Sequence, residues 1–211
     1  PSNLASMGIY VFSWDVVRRY LVDDEANPES TRDFGKDVIP AMLGADEPMY
    51  AYRFEGYWRD VGTIDSLWEA NMDMLDGDAG LDMNDDSWKI YSRNPNLPAA
   101  RIAVGSKLTE CMVAEGCDVA GEVRHSVLFQ GVTVGEGARV VDSVVMRGAV
   151  IEAGAVVERA VVAEDAHVGA GAKVGEPGAA LCVLGSGCKV PEGATVAPGE
   201  SVEPDSAIEV D

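Results

Sequence analysis

Apolar positions in the second half of the chain recur at a step that neither a helix nor an ordinary strand produces. Val134, Ile151 and Val168 stand 17 residues apart, and Cys117 falls on the same count. Val123, Val140, Val157 and Val174 keep the same step, as do Leu128, Val145 and Val162, and the small residues Ala138, Ala155 and Ala172. Within one period the apolar steps are 6, 5 and 6, through Val134, Val140, Val145 and Ile151. A helical face returns about every 3.6 residues and a half-buried strand every second residue. Steps near six, three to a period, predict a chain that turns a corner after each short strand and stacks its coils in register. That is a parallel β-helix of hexapeptide repeats. The pattern breaks at Glu176-Pro177-Gly178-Ala179-Ala180, which predicts a loop thrown out of a coil. It resumes through Leu184, Val190, Val196, Val202 and Ile208, each six apart. Gly135, Gly137, Gly154, Gly169 and Gly171 fall at the corners, where φ > 0 is expected.

The first 75 residues follow a different pattern. Residues 4–12 and Met49–Phe54 read as strands, the second with Tyr50, Tyr52 and Phe54 on one face. Ser13 is positioned to cap a helix with Val16, Val17, Tyr20 and Leu21 on its apolar side. Residues 23–33 form a polar loop. Asp33 is placed to cap a short helix through Phe34, Val38 and Ile39, which Pro40 bends or interrupts. Thr63 is placed to cap a third helix with Leu67, Ala70, Asn71 and Met74 or Leu75 inward. Strands mixed with helices predict a piece of an α/β sheet domain over residues 1–75. Residues 76–101, acidic and then Pro-rich, predict a linker, and residues 102–211 the β-helix. A stacked solenoid needs covering at each end; the α/β piece is expected at one end and a partner subunit at the other.

Hydrophobic residues make up 47% of the 211, enough for a proper core, but the formal net charge is −20. Such a surface repels phosphate backbones and argues against nucleic-acid binding, without excluding a small nucleotide. No apolar run approaches a membrane span, and no signal pattern opens the chain, so a cytoplasmic protein is expected. Cys111, Cys117, Cys182 and Cys188 form no CxxC pair and read as reduced core or near-core residues. The start at Pro1-Ser2-Asn3, without Met and directly ahead of a strand-like segment, predicts the C-terminal part of a longer protein.

Three clusters stand out as candidate chemistry. They are Ala5-Ser6-Met7-Gly8-Ile9-Tyr10, Asp33-Phe34-Gly35-Lys36-Asp37-Val38-Ile39-Pro40 and Gly56-Tyr57-Trp58-Arg59-Asp60-Val61-Gly62-Thr63. Asp60 lies where an aromatic segment gives way to a Gly-Thr turn and a helix. Ligands of α/β sheets gather at such strand ends, and a carboxylate there suits Mg²⁺, which prefers hard oxygen donors. The plainer alternative is that Asp60 pairs with Arg59 or helps cap the helix.

Together with Ser66-Leu67-Trp68-Glu69-Ala70-Asn71-Met72-Asp73 and Glu122-Val123-Arg124-His125-Ser126-Val127-Leu128-Phe129, these clusters closely resemble bacterial glucose-1-phosphate adenylyltransferases over essentially the whole chain. The resemblance implies an α/β remnant of a Rossmann-like nucleotidyltransferase domain followed by an all-β left-handed parallel β-helix. It implies a reaction of ATP with α-D-glucose 1-phosphate to give ADP-glucose and pyrophosphate, for glycogen biosynthesis, with Mg²⁺ as the metal. By the same resemblance Ser6 contacts the glucose 1-phosphate, and Asp60 is a substrate-side metal ligand; without it, Ser6 reads as a buried strand hydroxyl bonded to backbone. Tyr57 and Trp58 read as wall and core. The family's Gly-rich nucleotide loop, sugar-binding Glu-Lys pair and other metal Asp have no counterpart among these residues, so the 211 residues alone are expected to be inactive. A homotetramer under allosteric control is implied, and Arg139, Arg147, Arg159 and Lys173 are candidates to meet an effector phosphate, or else solvated corner residues. Three rivals remain open. One is a sugar nucleotidyltransferase using GTP or UTP. Another is a hexapeptide acyltransferase with His125 or His167 as base. The third is a purely structural module of a larger protein.

Overall fold

The computed structural model describes residues 4–76, 80, 82–83, 85–89, 91–92 and 95–208. It falls into two compact units, Pro1–Glu55 and Gly56–Asp211, each taken here by itself.

In the first unit, α1 spans Trp14–Ala26, a π-helical turn spans Phe34–Val38, and α2 spans Ile39–Gly44. Val17, Val38 and Met42 form its small buried centre. Val17 lies on the predicted face of α1, with Val16, Tyr20 and Leu21 half-buried beside it. Glu47 ties α1 to the segment after α2 through Arg19 and the Tyr20 hydroxyl, the latter at 2.9 Å. Asp33 caps as expected, its carboxylate accepting from the N–H groups of Gly35 and Lys36. Ser13 does not: only its backbone carbonyl serves α1, accepting from Val16 and Val17. Pro40 sits in the first turn of α2, where its missing N–H costs nothing, and the wide π turn ends just ahead of it.

Neither predicted strand of this half forms a ladder. Residues 4–12 and 49–54 carry no strand, and the first strand among the described residues begins at Arg101. A strand exists only through a partner that takes its N–H and C=O groups. Among the described residues no strand pairs with either stretch, and Ile9, Val11, Tyr50 and Tyr52 stand exposed. The α/β reading of this segment therefore rests on its helices.

In the second unit, α3 spans Ile64–Asp73 and a parallel β-solenoid follows. One face is built by β1 Arg101–Ile102, β3 Asp118–Val119, β5 Thr133–Val134, β8 Val150–Ile151, β11 His167–Val168 and β14 Lys189–Val190, each hydrogen-bonded to the next. Six coils result, and a bridge from Lys189 to Ala207 opens a seventh. The other two faces merge at a corner. There β2 Lys107–Val113 and β4 Glu122–Leu128 run straight round the bend, and β4 pairs with β6 Arg139–Val141 by its first half and with β7 Val144–Val145 by its second. The corner is turned by residues in the left-handed region: His125, Asp142 and Arg159 have φ of 45°, 48° and 48°. Buried serines stitch it. Ser143 Oγ donates to the Val141 carbonyl at 2.7 Å and accepts from the Ala160 N–H at 3.1 Å.

The interior matches the periodic rows. Val134, Ile151, Val168, Val140, Val157, Val174, Val145 and Val162 are all at most 1% exposed. Cys117 is buried too, but not on the row predicted for it. Val119 faces Val134, 15 residues away, whereas Val134 faces Ile151 at 17. The early coil is short because its corner from Val119 to Val123 takes four steps where Val134 to Val140 takes six. A fixed count cannot see that cut. The break at residues 176–180 is an insertion: Val168 pairs with Val190 at a separation of 22 rather than 17, and the five extra residues leave as a loop.

The corner glycines divide into two kinds. Gly137, Gly154 and Gly171 have positive φ, as expected. Gly135 and Gly169 do not; a Cβ on either would lie 2.6 Å from a backbone nitrogen of the next coil, of Ala153 and Glu192 respectively. They are glycine because two turns touch, not because of backbone hand.

α3 packs on the outside of the solenoid. Val127, Val144 and Val161 point away from the interior yet are buried, because Trp68, Met72 and Leu75 cover them. The inward face is thus Trp68-Met72-Leu75, which shares only Leu75 with the predicted face of Leu67, Ala70, Asn71 and Met74 or Leu75. The largest apolar surface available to the helix is an aromatic ring, and the solenoid's valine ridge receives it.

Candidate functional site

The segment from Gly56 to Thr63 is held by polar contacts to α3. Arg59 reaches two acids one helical turn apart, Glu69 at 2.6 Å and Asp73 at 2.6 Å. The Tyr57 hydroxyl donates to the same Asp73 at 3.0 Å. Burial, with Asp73 beside it, pushes the Tyr57 phenol above its usual range, and the Asp73 carboxylate raises Arg59 further. Thr63 closes the segment with a reciprocal cap: its hydroxyl accepts from the Ser66 N–H, and the Ser66 hydroxyl accepts from the Thr63 N–H.

Asp60 is left facing an open cavity of about 870 Å³ lined by Gly56, Tyr57, Trp58, Arg59, Asp73 and Asp76 among others. Its Oδ1 accepts from the Gly62 N–H at 3.1 Å. It neither pairs with Arg59, which is committed to α3, nor caps the helix, which Thr63 does. Among the described residues no group of three or more His, Cys, Asp or Glu side chains converges to hold a metal. One carboxylate on a rigid loop suits a divalent ion that takes its remaining ligands from water and phosphate; it would not retain one by itself.

Ser6 belongs to the other unit. Its hydroxyl accepts from the Gly8 N–H at 3.1 Å and lies 3.0 Å from the Tyr10 hydroxyl, in an exposed turn rather than a buried strand. Gly8 has φ of 73° and open space where a side chain would go. The second cluster is a clasp: Asp37 accepts from the Thr31 hydroxyl and from the Thr31 and Asp33 N–H groups, the hydroxyl first among the causes that lower its pKa.

Of the four basic candidates on the coils, Arg139 pairs with Glu158 at 2.7 Å, and Arg159 lies over the Trp68 ring at 4.5 Å. Arg147 and Lys173 are exposed. His167 pairs with Glu152 at 2.8 Å. His125 is held between Asp142 and Asp76. The cysteines are free, and burial raises all four thiols. The sequence reading singled out Asp60 but missed what fixes it. Arg59 facing acids at a spacing of four on a capped helix was the available signal.

Two family models match the chain, and the first runs past the geometric boundary at Gly56 to include α3. Residues 1–77 match the model described as nucleotidyl transferase, and residues 99–180 match the GlmU-like, C-terminal hexapeptide model. In its order of parts the chain is similar to a nucleotidyl-transferase segment joined to a hexapeptide solenoid. No helix of the described residues is long and apolar enough to cross a membrane.

The relatives are specific. The glucose-1-phosphate adenylyltransferases of Bacillus cereus strain ATCC 14579, Bacillus mycoides strain KBAB4 and Bacillus anthracis are each 58% identical to it over 148 residues, 70% of this chain and 39% of theirs. The chain is a homologue of these adenylyltransferases, and it spans about two fifths of the length of the curated relatives it matches.

Proposed function

We propose that this chain is the C-terminal portion of a glucose-1-phosphate adenylyltransferase, which joins ATP and α-D-glucose 1-phosphate into ADP-glucose and pyrophosphate. The match of 58% identity over 148 residues carries this reading. In the reaction an oxygen of the sugar phosphate attacks the α-phosphorus of ATP, the bond to the bridging oxygen breaks, and pyrophosphate leaves. The work is mostly positioning and charge stabilisation.

Ser6 donates its hydroxyl to the phosphate of glucose 1-phosphate, with the open side of Gly8 leaving room for close approach. Asp60 supplies one carboxylate oxygen to Mg²⁺, which when bound offsets charge building on the phosphates. Arg59 and Tyr57 keep the Asp60 segment on α3, so the carboxylate needs little reorganisation as charge develops. The assembled enzyme is a homotetramer.

The test is pyrophosphate release from ATP and glucose 1-phosphate. The complete polypeptide carrying this segment turns over, and Asp60→Asn lowers its kcat by about 100-fold or more, the scale of a lost electrostatic contact in phosphoryl chemistry. The 211 residues alone show no turnover. Activity of the isolated chain, or full activity of D60N, overturns the assignment. A complete polypeptide that prefers GTP or UTP moves it to another sugar nucleotidyltransferase.

A further inference from the structure

His125 sits at the left-handed corner where α3 docks, and both of its ring nitrogens face carboxylates. Nδ1 lies 2.8 Å from Asp142 Oδ1, one coil further on, and Nε2 lies 3.2 Å from Asp76 Oδ1, just past the end of α3. An ionised carboxylate only accepts hydrogen bonds, and a neutral imidazole has one N–H to donate. Satisfying both carboxylates requires both ring protons.

We propose that His125 is a proton-operated latch: as imidazolium it ties the segment leaving α3 to the solenoid corner, and as neutral imidazole it lets Asp76 go. Asp142 is the partner retained, because it is the closer of the two and only 30% exposed, whereas the Asp76 side chain is 64% exposed. On deprotonation the proton leaves to solvent, and the Nε2 lone pair then faces the Asp76 carboxylate and repels it. Asp76 lines the same cavity as Asp60. The latch therefore sets whether one wall of that cavity is pinned to the solenoid. It stands on hydrogen-bond geometry and does not depend on the adenylyltransferase reading.

The surrounding charges do not replace the latch. On the solenoid, Glu110 stands at the same corner one coil before, Arg124 precedes His125, and Arg159 one coil beyond Asp142 is stacked on Trp68. On the α3 side, Asp73 and Glu69 are engaged by Arg59. Burial pulls the His125 pKa down, but the hydrogen bonds its ring donates to Asp142 and Asp76, with their charges, outweigh it and leave the value raised. The latch is thus fully closed below the ordinary histidine value near 6.5 and opens as pH rises through the higher folded value.

The chain has two histidines, so ring resonances assign cleanly once His167→Gln removes one. The experiment follows the His125 ring and the Asp76 carboxyl carbon by NMR from pH 5 to 9 in the 211-residue chain. Alongside it, hydrogen exchange at Leu75 and Asp76, whose N–H groups donate to the Met72 carbonyl, is corrected for intrinsic rates. The His125 midpoint lies above 6.5, Asp76 reports the same midpoint, and Asp76→Asn moves the His125 midpoint down. Protection at Leu75 and Asp76 falls by about fivefold through the transition, the scale of one partly exposed ion pair. His125→Asn, which tolerates the left-handed backbone, abolishes that pH step while leaving the coils folded. A midpoint at or below 6.5, a midpoint unchanged in D76N, or a pH step that persists in H125N overturns the latch.

Discussion

Trp68 is the pin between α3 and the solenoid, and removing it tests whether the helix is held from outside. The Trp68→Ala substitution deletes three things. The indole N–H donates to the Asp142 carbonyl at 2.8 Å, worth about 1 kcal/mol net. The Arg159 guanidinium lies 4.5 Å from the ring centroid, worth about 0.5–1 kcal/mol. The ring also shields the Val127, Val144 and Val161 ridge. Because the indole is only half-buried, the total falls at the low end of aromatic-to-alanine losses, about 3 kcal/mol. The loss is local, since the solenoid's own rows do not include Trp68. Hydrogen exchange is the assay: α3 amides lose roughly 100-fold in protection, while coil amides near Val134 and Ile151 keep theirs. Trp68→Phe retains a ring but no donor and costs about 1 kcal/mol, roughly fivefold. If α3 in W68A exchanges at the wild-type rate, or the coils lose protection equally, the account of the helix as an externally docked element is wrong.

Two other perturbations separate causes that look alike in the sequence. Gly169→Ala puts a Cβ 2.6 Å from Glu192 N and costs about 3 kcal/mol by overpacking, whereas Gly154→Ala meets nothing within 4 Å and carries only the penalty of its φ of 68°, about 1 kcal/mol; equal urea midpoints for the two variants would count against the close approach of the coils. Burial raises the thiols of Cys117, Cys182 and Cys188, so at pH 8 a disulfide reagent leaves them unlabelled in the native chain and reacts with all four cysteines in urea; rapid native labelling of any of these three contradicts a closed interior.

Much of the solenoid was legible because its physics is local and repeated. One apolar residue per strand, returned every 17 positions, can face inward only if the coils stack, and Val140, Val157 and Val174 stack as that demands. Cys117 slipped because one corner was shortened, a fact carried by backbone path rather than by residue type. The two strands read into the first half failed for the opposite reason: alternation in Tyr50, Tyr52 and Phe54 describes a face suited to a sheet but does not supply the neighbouring strand. The caps show the same limit. Asp33 and Thr63 bond their helix N-termini through side chains, whereas Ser13, equally suited by type, does not. At the candidate site, Asp60 was visible as a candidate from its place ahead of a Gly-Thr turn, but residue order left open a pairing with Arg59, which is instead committed to Glu69 and Asp73.

Residue order alone specified the stacked coils, the five-residue loop that leaves them and the Gly-Thr turn presenting Asp60. Each depends on interactions between residues at a constant offset or within a few positions. The docked face of α3, the glycines required by touching turns, and the meeting of His125 with Asp76 and Asp142 were decided only in three dimensions. These are contacts between segments whose separation follows no period, and which side chain meets which depends on where the backbone has already been placed.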